Sequence, residues 1–122
     1  MAETITVTNI KHKDESVARE TRGICAAWAN FDQVTGSGRD STNVSSYTDN
    51  GAGLWAVNFT SNFANDDFVG VSDCAQGTET AARTFSNACN QTTSDVDVFA
   101  SNSTPTATDR ALAQVICMGD LA

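Results

Sequence analysis

Ser41-Thr42-Asn43-Val44-Ser45-Ser46-Tyr47-Thr48-Asp49-Asn50-Gly51-Ala52-Gly53-Leu54-Trp55-Ala56-Val57-Asn58-Phe59-Thr60 is the stretch that decides the fold. It reads as strand, tight turn, strand. The first arm, Ser41 to Tyr47, carries Thr, Val and Tyr, which suit a pleated, half-buried surface. The second, Leu54 to Thr60, alternates so that Trp55, Val57 and Phe59 share one face. Between them, Asp49-Asn50-Gly51-Ala52-Gly53 offers positive-φ residues where the chain reverses. A hairpin with one aromatic face is a structural unit and brings no catalytic group with it.

Outward from this hairpin, short strand patterns recur. Residues 3–10 alternate, with Ile5 and Val7 opposed to Thr4 and Thr6. Residues 24–31 form the next candidate, with Ile24, Trp28 and Phe31 as apolar anchors. Gly36-Ser37-Gly38 marks a loop. Residues 68–72, 80–88 and 95–100 follow as strands, the last placing Val96 and Val98 inward and Asp95, Asp97 and Phe99 outward. Residues 101–108 read as a polar loop, and residues 111–118 close the fold. Alanine clusters in the 80s and at 111–113 favour helix by propensity, but their Thr, Ser and Val flanks favour strand. About eight short strands separated by turn signals predict an all-β chain. Its form is an antiparallel β-sandwich or jelly-roll-like domain over residues 24–122, preceded by an extended N-terminal arm, residues 1–23.

A chain of 122 residues makes one domain, with no room for a second core. Leu occurs only as Leu54, Leu112 and Leu121, so large core residues are few, and part of the stability is expected from neighbouring subunits. The net charge of −8 argues against nucleic-acid binding, which needs a basic surface. No run of about 18 apolar residues predicts membrane insertion, and Met1-Ala2-Glu3-Thr4 does not open a basic-then-apolar signal segment. Four of the seven basic residues, Lys11, Lys13, Arg19 and Arg22, gather in one short segment. That segment reads either as a solvated linker or as an arm docking on an acidic neighbour in an assembly.

Candidate chemistry is sparse. Cys25, Cys74, Cys89 and Cys117 form no Cys-x-x-Cys pair, and His12 is the only histidine, so the spacing does not build a zinc site. Buried thiols in strands are the plain reading, with disulfide pairing left open. His12 sits in the charged segment, and no Gly-x-Ser-x-Gly elbow surrounds a serine. Asp66-Asp67 and Asp95-x-Asp97 are read as solvated strand ends, with calcium between subunits as the alternative. The triplets at Asn43, Asn58, Asn90 and Asn102 match the glycosylation pattern by chance in a chain this rich in Asn, Ser and Thr. No catalytic, cofactor-binding or metal-ligating residue is assigned. Trp28, Phe31, Tyr47, Trp55 and Phe59 are read as core or subunit-interface aromatics.

Three stretches carry a family resemblance. Ala27-Trp28-Ala29-Asn30-Phe31, then Arg39-Asp40-Ser41-Thr42-Asn43-Val44-Ser45-Ser46-Tyr47-Thr48-Asp49-Asn50-Gly51, then Val57-Asn58-Phe59-Thr60, resemble a β-rich domain common in tailed bacteriophages. That domain is often the C-terminal part of a tail-fibre protein. The end of this chain, Val115-Ile116-Cys117-Met118-Gly119-Asp120, is similar to the family's closing strand, whereas Ala29 stands where the family has valine. The resemblance implies a non-enzymatic virion structural protein, assembled in the host cytoplasm and carried on the particle exterior. With 23 residues before the domain, an arm of up to roughly 75 Å rather than a shaft is expected. A head decoration (cement) protein or short head fibre is therefore the expected role. A tail-fibre module recognising a bacterial surface glycan or protein is the alternative. The resemblance also implies a homotrimer, with the major capsid protein or tail components as partners and no cofactor.

Overall fold

The computed structural model describes residues 9–10, 19–20, 24–76, 85–102, 104 and 106–122. Among these the chain is an all-β antiparallel sandwich. Strands β1 (Asn9–Ile10) and β2 (Arg19–Glu20) pair with each other. Eight strands build the sandwich: β3 (Cys25–Asp32), β4 (Ser37–Thr42), β5 (Val44–Asp49), β6 (Leu54–Phe59), β7 (Val69–Ala75), β8 (Phe85–Cys89), β9 (Asp95–Ser101) and β10 (Leu112–Met118). One four-stranded sheet has the order β4-β3-β10-β7, and the other β5-β6-β9-β8.

The hairpin of residues 41–60 is present as β5 and β6, with Tyr47 opposite Val57 and Asp49 opposite Trp55. Its first arm is shorter than the sequence suggests. Ser41 and Thr42 belong to β4 in the other sheet, and Asn43 turns the corner with φ 58°. Asn43 holds that corner with its side chain: Nδ2 donates to Ser61 O at 3.0 Å, and Ser61 N donates to Asn43 Oδ1 at 2.7 Å. Ser37 and Gly38, read as loop, are the start of β4. A strand without apolar residues gives no alternation signal, and cross-strand pairing to β3 decides it instead. Leu112 and Ala113 extend as strand, as the Val- and Thr-rich flanks imply; residues 80–84 and 3–8 lie outside the described residues.

Alternation sets the core. Ala27, Ala29 and Phe31 on β3 and Ala113, Val115 and Cys117 on β10 point inward. They meet Trp55, Val57 and Phe59 on β6 and Val96, Val98 and Ala100 on β9. Phe31 is the pivot at one end, stacked on Tyr47 with centroids 4.7 Å apart and tilted against Trp55 at 6.4 Å. At the other end Phe59, Phe63 and Phe68 form a second aromatic group, Phe63 and Phe68 stacking at 4.2 Å. Gly119 allows that group to close, because a Cβ there would lie 2.6 Å from Phe68 Cβ. Small residues on β3 and β10 thus face large ones across the sandwich, which is how a leucine-poor sequence fills an interior.

Candidate functional site

The two outer faces of the sandwich differ in chemistry. On the β5-β6-β9-β8 face the polar groups satisfy one another. Asn58 Nδ2 donates to Ser46 Oγ at 3.1 Å and Thr48 Oγ1 at 2.9 Å. Asp97, only 8% exposed, accepts from Asn90 Nδ2 at 2.9 Å and Asn50 Nδ2 at 3.3 Å. Asp95 accepts from the Thr92 hydroxyl.

The β4-β3-β10-β7 face is apolar and open. Register places Thr42 beside Trp28, Trp28 beside Ile116, and Ile116 beside Val71, one row across all four strands. Ile116 is 51% and Val71 63% exposed. The next row brings Met118 beside Cys25 on one side and Val69 on the other, and Ile24 stands exposed where the chain enters β3. On the other side of the central row lie Asp40, Asn30, Gln114 and Asp73 in register. Between β3 and β10 the surface dips into a depression of about 280 Å³ lined by Cys25, Trp28, Asn30, Gln114 and Ile116. The side-chain oxygen of Asn30 is buried there without a hydrogen-bond partner.

A second, polar cleft of about 300 Å³ opens where the edge strands β4 and β5 diverge, lined by Gly38, Arg39, Asp40, Ser45 and Tyr47. Burial raises the Tyr47 hydroxyl pKa above its ordinary value. Arg39 is committed elsewhere, its guanidinium donating to Ala111 O at 2.8 Å and lying 3.6 Å from Asp32.

These placements divide the aromatic candidates. Phe31, Trp55 and Phe59 are core, and Tyr47 packs against them. Trp28, taken as an anchor alongside Phe31, points to the opposite side of β3, because even and odd positions of a strand face apart, and Ile24, the other anchor, stands exposed just before the strand. Trp28 is therefore the aromatic of the open face. Arg19 lies on β2, while Lys11, Lys13, Arg22 and His12 lie outside the described residues. Cys74 and Cys117 are buried, and burial pushes the Cys117 thiol up to about 12, with Cys25 adding to the effect. Asp66 and Asp67 are exposed. Among the described residues, no group of three or more His, Cys, Asp or Glu could hold a metal ion, and no helix is long and apolar enough to cross a membrane.

Sequence reasoning missed the buried polar residues Gln33 and Arg110, for which no local signal exists, and Asp97, read as a solvated strand end, is instead buried within β9, where Asn90 and Asn50 cover its carboxylate. It also missed that the apolar residues of β7 and β10 split between core and surface, which their alternation does encode. Compared with known proteins, the chain matches no family model, no curated protein and no solved structure.

Proposed function

We propose that this chain is a non-enzymatic structural subunit of a larger assembly, carried on the exterior of a bacteriophage particle as a head decoration (cement) protein or short head fibre. The observation that carries this reading is the contrast between the two faces. One carries hydrogen-bonded polar clusters around Asn58 and Asp97, with Phe85 as an exposed apolar residue, whereas the other leaves Trp28, Ile116, Val71, Val69 and Met118 as a contiguous apolar surface. Exposed apolar patches of this kind mark contact sites on soluble proteins. Asp97 and Asp109 serve structure, each accepting hydrogen bonds from neighbouring residues. The assignment to a phage rests on the tail-fibre-like motifs at residues 27–31, 39–51 and 57–60. Partners in this reading are the major capsid protein or tail components and further copies of the chain, a homotrimer by the resemblance. Lys11, Lys13, Arg19 and Arg22 serve as the capsid-docking residues.

The second reading is a receptor-binding tail-fibre module for a bacterial surface glycan or protein, favoured by the polar cleft beside Tyr47. Immunogold labelling of intact virions separates the two. Label over the head supports the decoration role; label confined to the tail supports receptor binding; no label on purified particles sinks both.

A further inference from the structure

We infer that Asn50 is a self-modification site: the turn between β5 and β6 converts it, through a cyclic imide, to aspartate and isoaspartate, with Asp49 as the proton acceptor. The inference goes beyond the proposed function and does not depend on which particle carries the protein.

The reaction needs an asparagine whose following residue does not crowd the ring that forms. Asn50 is the only asparagine of the sequence followed by glycine. Gly51 has no Cβ, and its φ of 126° is a conformation that favours glycine. Both residues are exposed, so the water consumed in the second step reaches them.

The turn supplies the rest. Gly51 N donates to Asp49 Oδ1 at 2.9 Å, which places a carboxylate within general-base range of the atom that must lose its proton. Asn50 N donates to Leu54 O and Leu54 N to Gly51 O, both at 2.9 Å, and these bonds hold the loop around that contact. In the first step Gly51 N gives its proton to Asp49 and bonds to Asn50 Cγ. The Cγ–Nδ2 bond then breaks, and Nδ2 leaves as ammonia carrying that proton. In the second step water opens the imide at one of its two carbonyls, giving aspartate or isoaspartate. Nothing but water is consumed.

Asp97 registers the change. Its carboxylate is 8% exposed and accepts from Asn90 Nδ2 at 2.9 Å and from Asn50 Nδ2 at 3.3 Å. The Asn50 bond restrains the amide, but it is the longer of the two and beyond the ~2.7–2.9 Å usual for a charge-assisted bond. After the reaction, a carboxylate at position 50 cannot donate and sets a second negative charge beside a nearly buried one. Isoaspartate also adds a methylene between Asn50 N and Gly51 O, the two atoms bonded to Leu54.

The test is ageing of the folded full chain at neutral pH, followed by peptide mapping in a mass spectrometer and enzymatic methyl labelling of isoaspartate. The expected result is isoaspartate accumulating at Asn50 ahead of every other asparagine. Asp49→Ala slows this roughly threefold or more in the folded chain but not in urea, where the Gly51–Asp49 bond is lost. Asp49→Ser, which keeps a polar side chain in the exposed turn, slows it likewise and serves as the independent variant. An unmodified Asn50, faster modification at another asparagine, a rate unchanged in both variants, or equal slowing in urea would overturn the inference. None of these outcomes bears on where label falls on a virion.

Discussion

Gln33 and Arg110 hold each other's backbone across one end of the sandwich. Gln33 N donates to Arg110 O at 2.9 Å, and Arg110 N donates to Gln33 Oε1 at 3.0 Å. Gln33 Nε2 reaches on to Val98 O at 3.2 Å, tying the β3 end to the facing sheet. The guanidinium of Arg110 donates to Gln76 Oε1 and Ser101 O. Both residues are almost wholly buried, at 1% and 3% exposure. Together they satisfy the backbone where the two sheets run out of strands.

Gln33→Leu keeps the approximate volume and removes the two hydrogen bonds that the Gln33 side chain makes. It leaves the Arg110 N–H and the Val98 carbonyl buried and unmet, which costs about 2–4 kcal/mol. Urea unfolding followed by tryptophan fluorescence measures it; a loss under about 1 kcal/mol would show that the network does not hold the end closed.

Asn43 combines a left-handed backbone with a reciprocal side-chain clasp on Ser61. Asn43→Ala gives up both, and the expected loss is about 2–3 kcal/mol. Asn43→Gly keeps the backbone freedom and loses only the clasp, so it falls about midway. The order wild type, Gly, Ala in thermal midpoint is the check; Ala above Gly would refute the backbone part of this account.

At Gly53, φ is +68°, and an added Cβ would sit 2.2 Å from Ala100 O and 2.6 Å from Thr108 N. Neither contact is with a flexible side chain. Gly53→Ala is therefore expected to destabilise by at least about 3 kcal/mol. Asp109 locks the same turn by accepting from Gly53 N at 2.7 Å and Trp55 Nε1 at 3.2 Å. Asp109→Ala should cost about 2 kcal/mol and shift Trp55 emission, a paired readout that thermal melts and fluorescence spectra supply.

Stability should fall at alkaline pH. Burial raises the Cys117 thiol to about 12, above its ordinary value of 9.0. Above pH ~9 the unfolded chain releases this proton while the folded chain keeps it. The stability contributed by the neutral thiol is thus complete below pH ~9. It declines by at most ~1.4 kcal/mol per pH unit between there and the folded value. Cys89 and Tyr47, also raised by burial, act in the same direction. Urea midpoints at pH 8, 9 and 10 should decline less steeply in Cys117→Ala; an identical slope would remove Cys117 as the cause.

Much of the architecture is legible in alternation. Val96 and Val98 inward, with Asp95, Asp97 and Phe99 outward, follow from period 2 alone, and so does the burial of Trp55, Val57 and Phe59. Trp28 and Phe31 show where the reading needs care. Both are large and aromatic and read alike as core or interface, yet three positions apart on a strand they must face opposite ways, so only one of them can enter the core. The strand Ser37–Thr42 has no apolar residue to announce it and is held by its pairing with β3. Gln33, Arg110 and Asp97 are buried because their partners come from distant elements, and residue type argues the other way. The open face was encoded at Ile116, Val71 and Met118, but it becomes a surface only once register aligns β3, β10 and β7.

The corner at Asn43 also gives the sandwich a spine. On that flank β4 and β5 are one ribbon bent at a single residue. On the opposite flank β7 and β8 belong to different sheets and meet through side chains, with Ser72 Oγ and Ser86 Oγ 2.7 Å apart and the Cys74 thiol donating to Phe85 O at 3.5 Å. A book opens at its fore-edge, not at its binding. Amides along the β7–β8 side should accordingly exchange with solvent before those of β5 and β6, and the first partial opening of the fold should part the pages there.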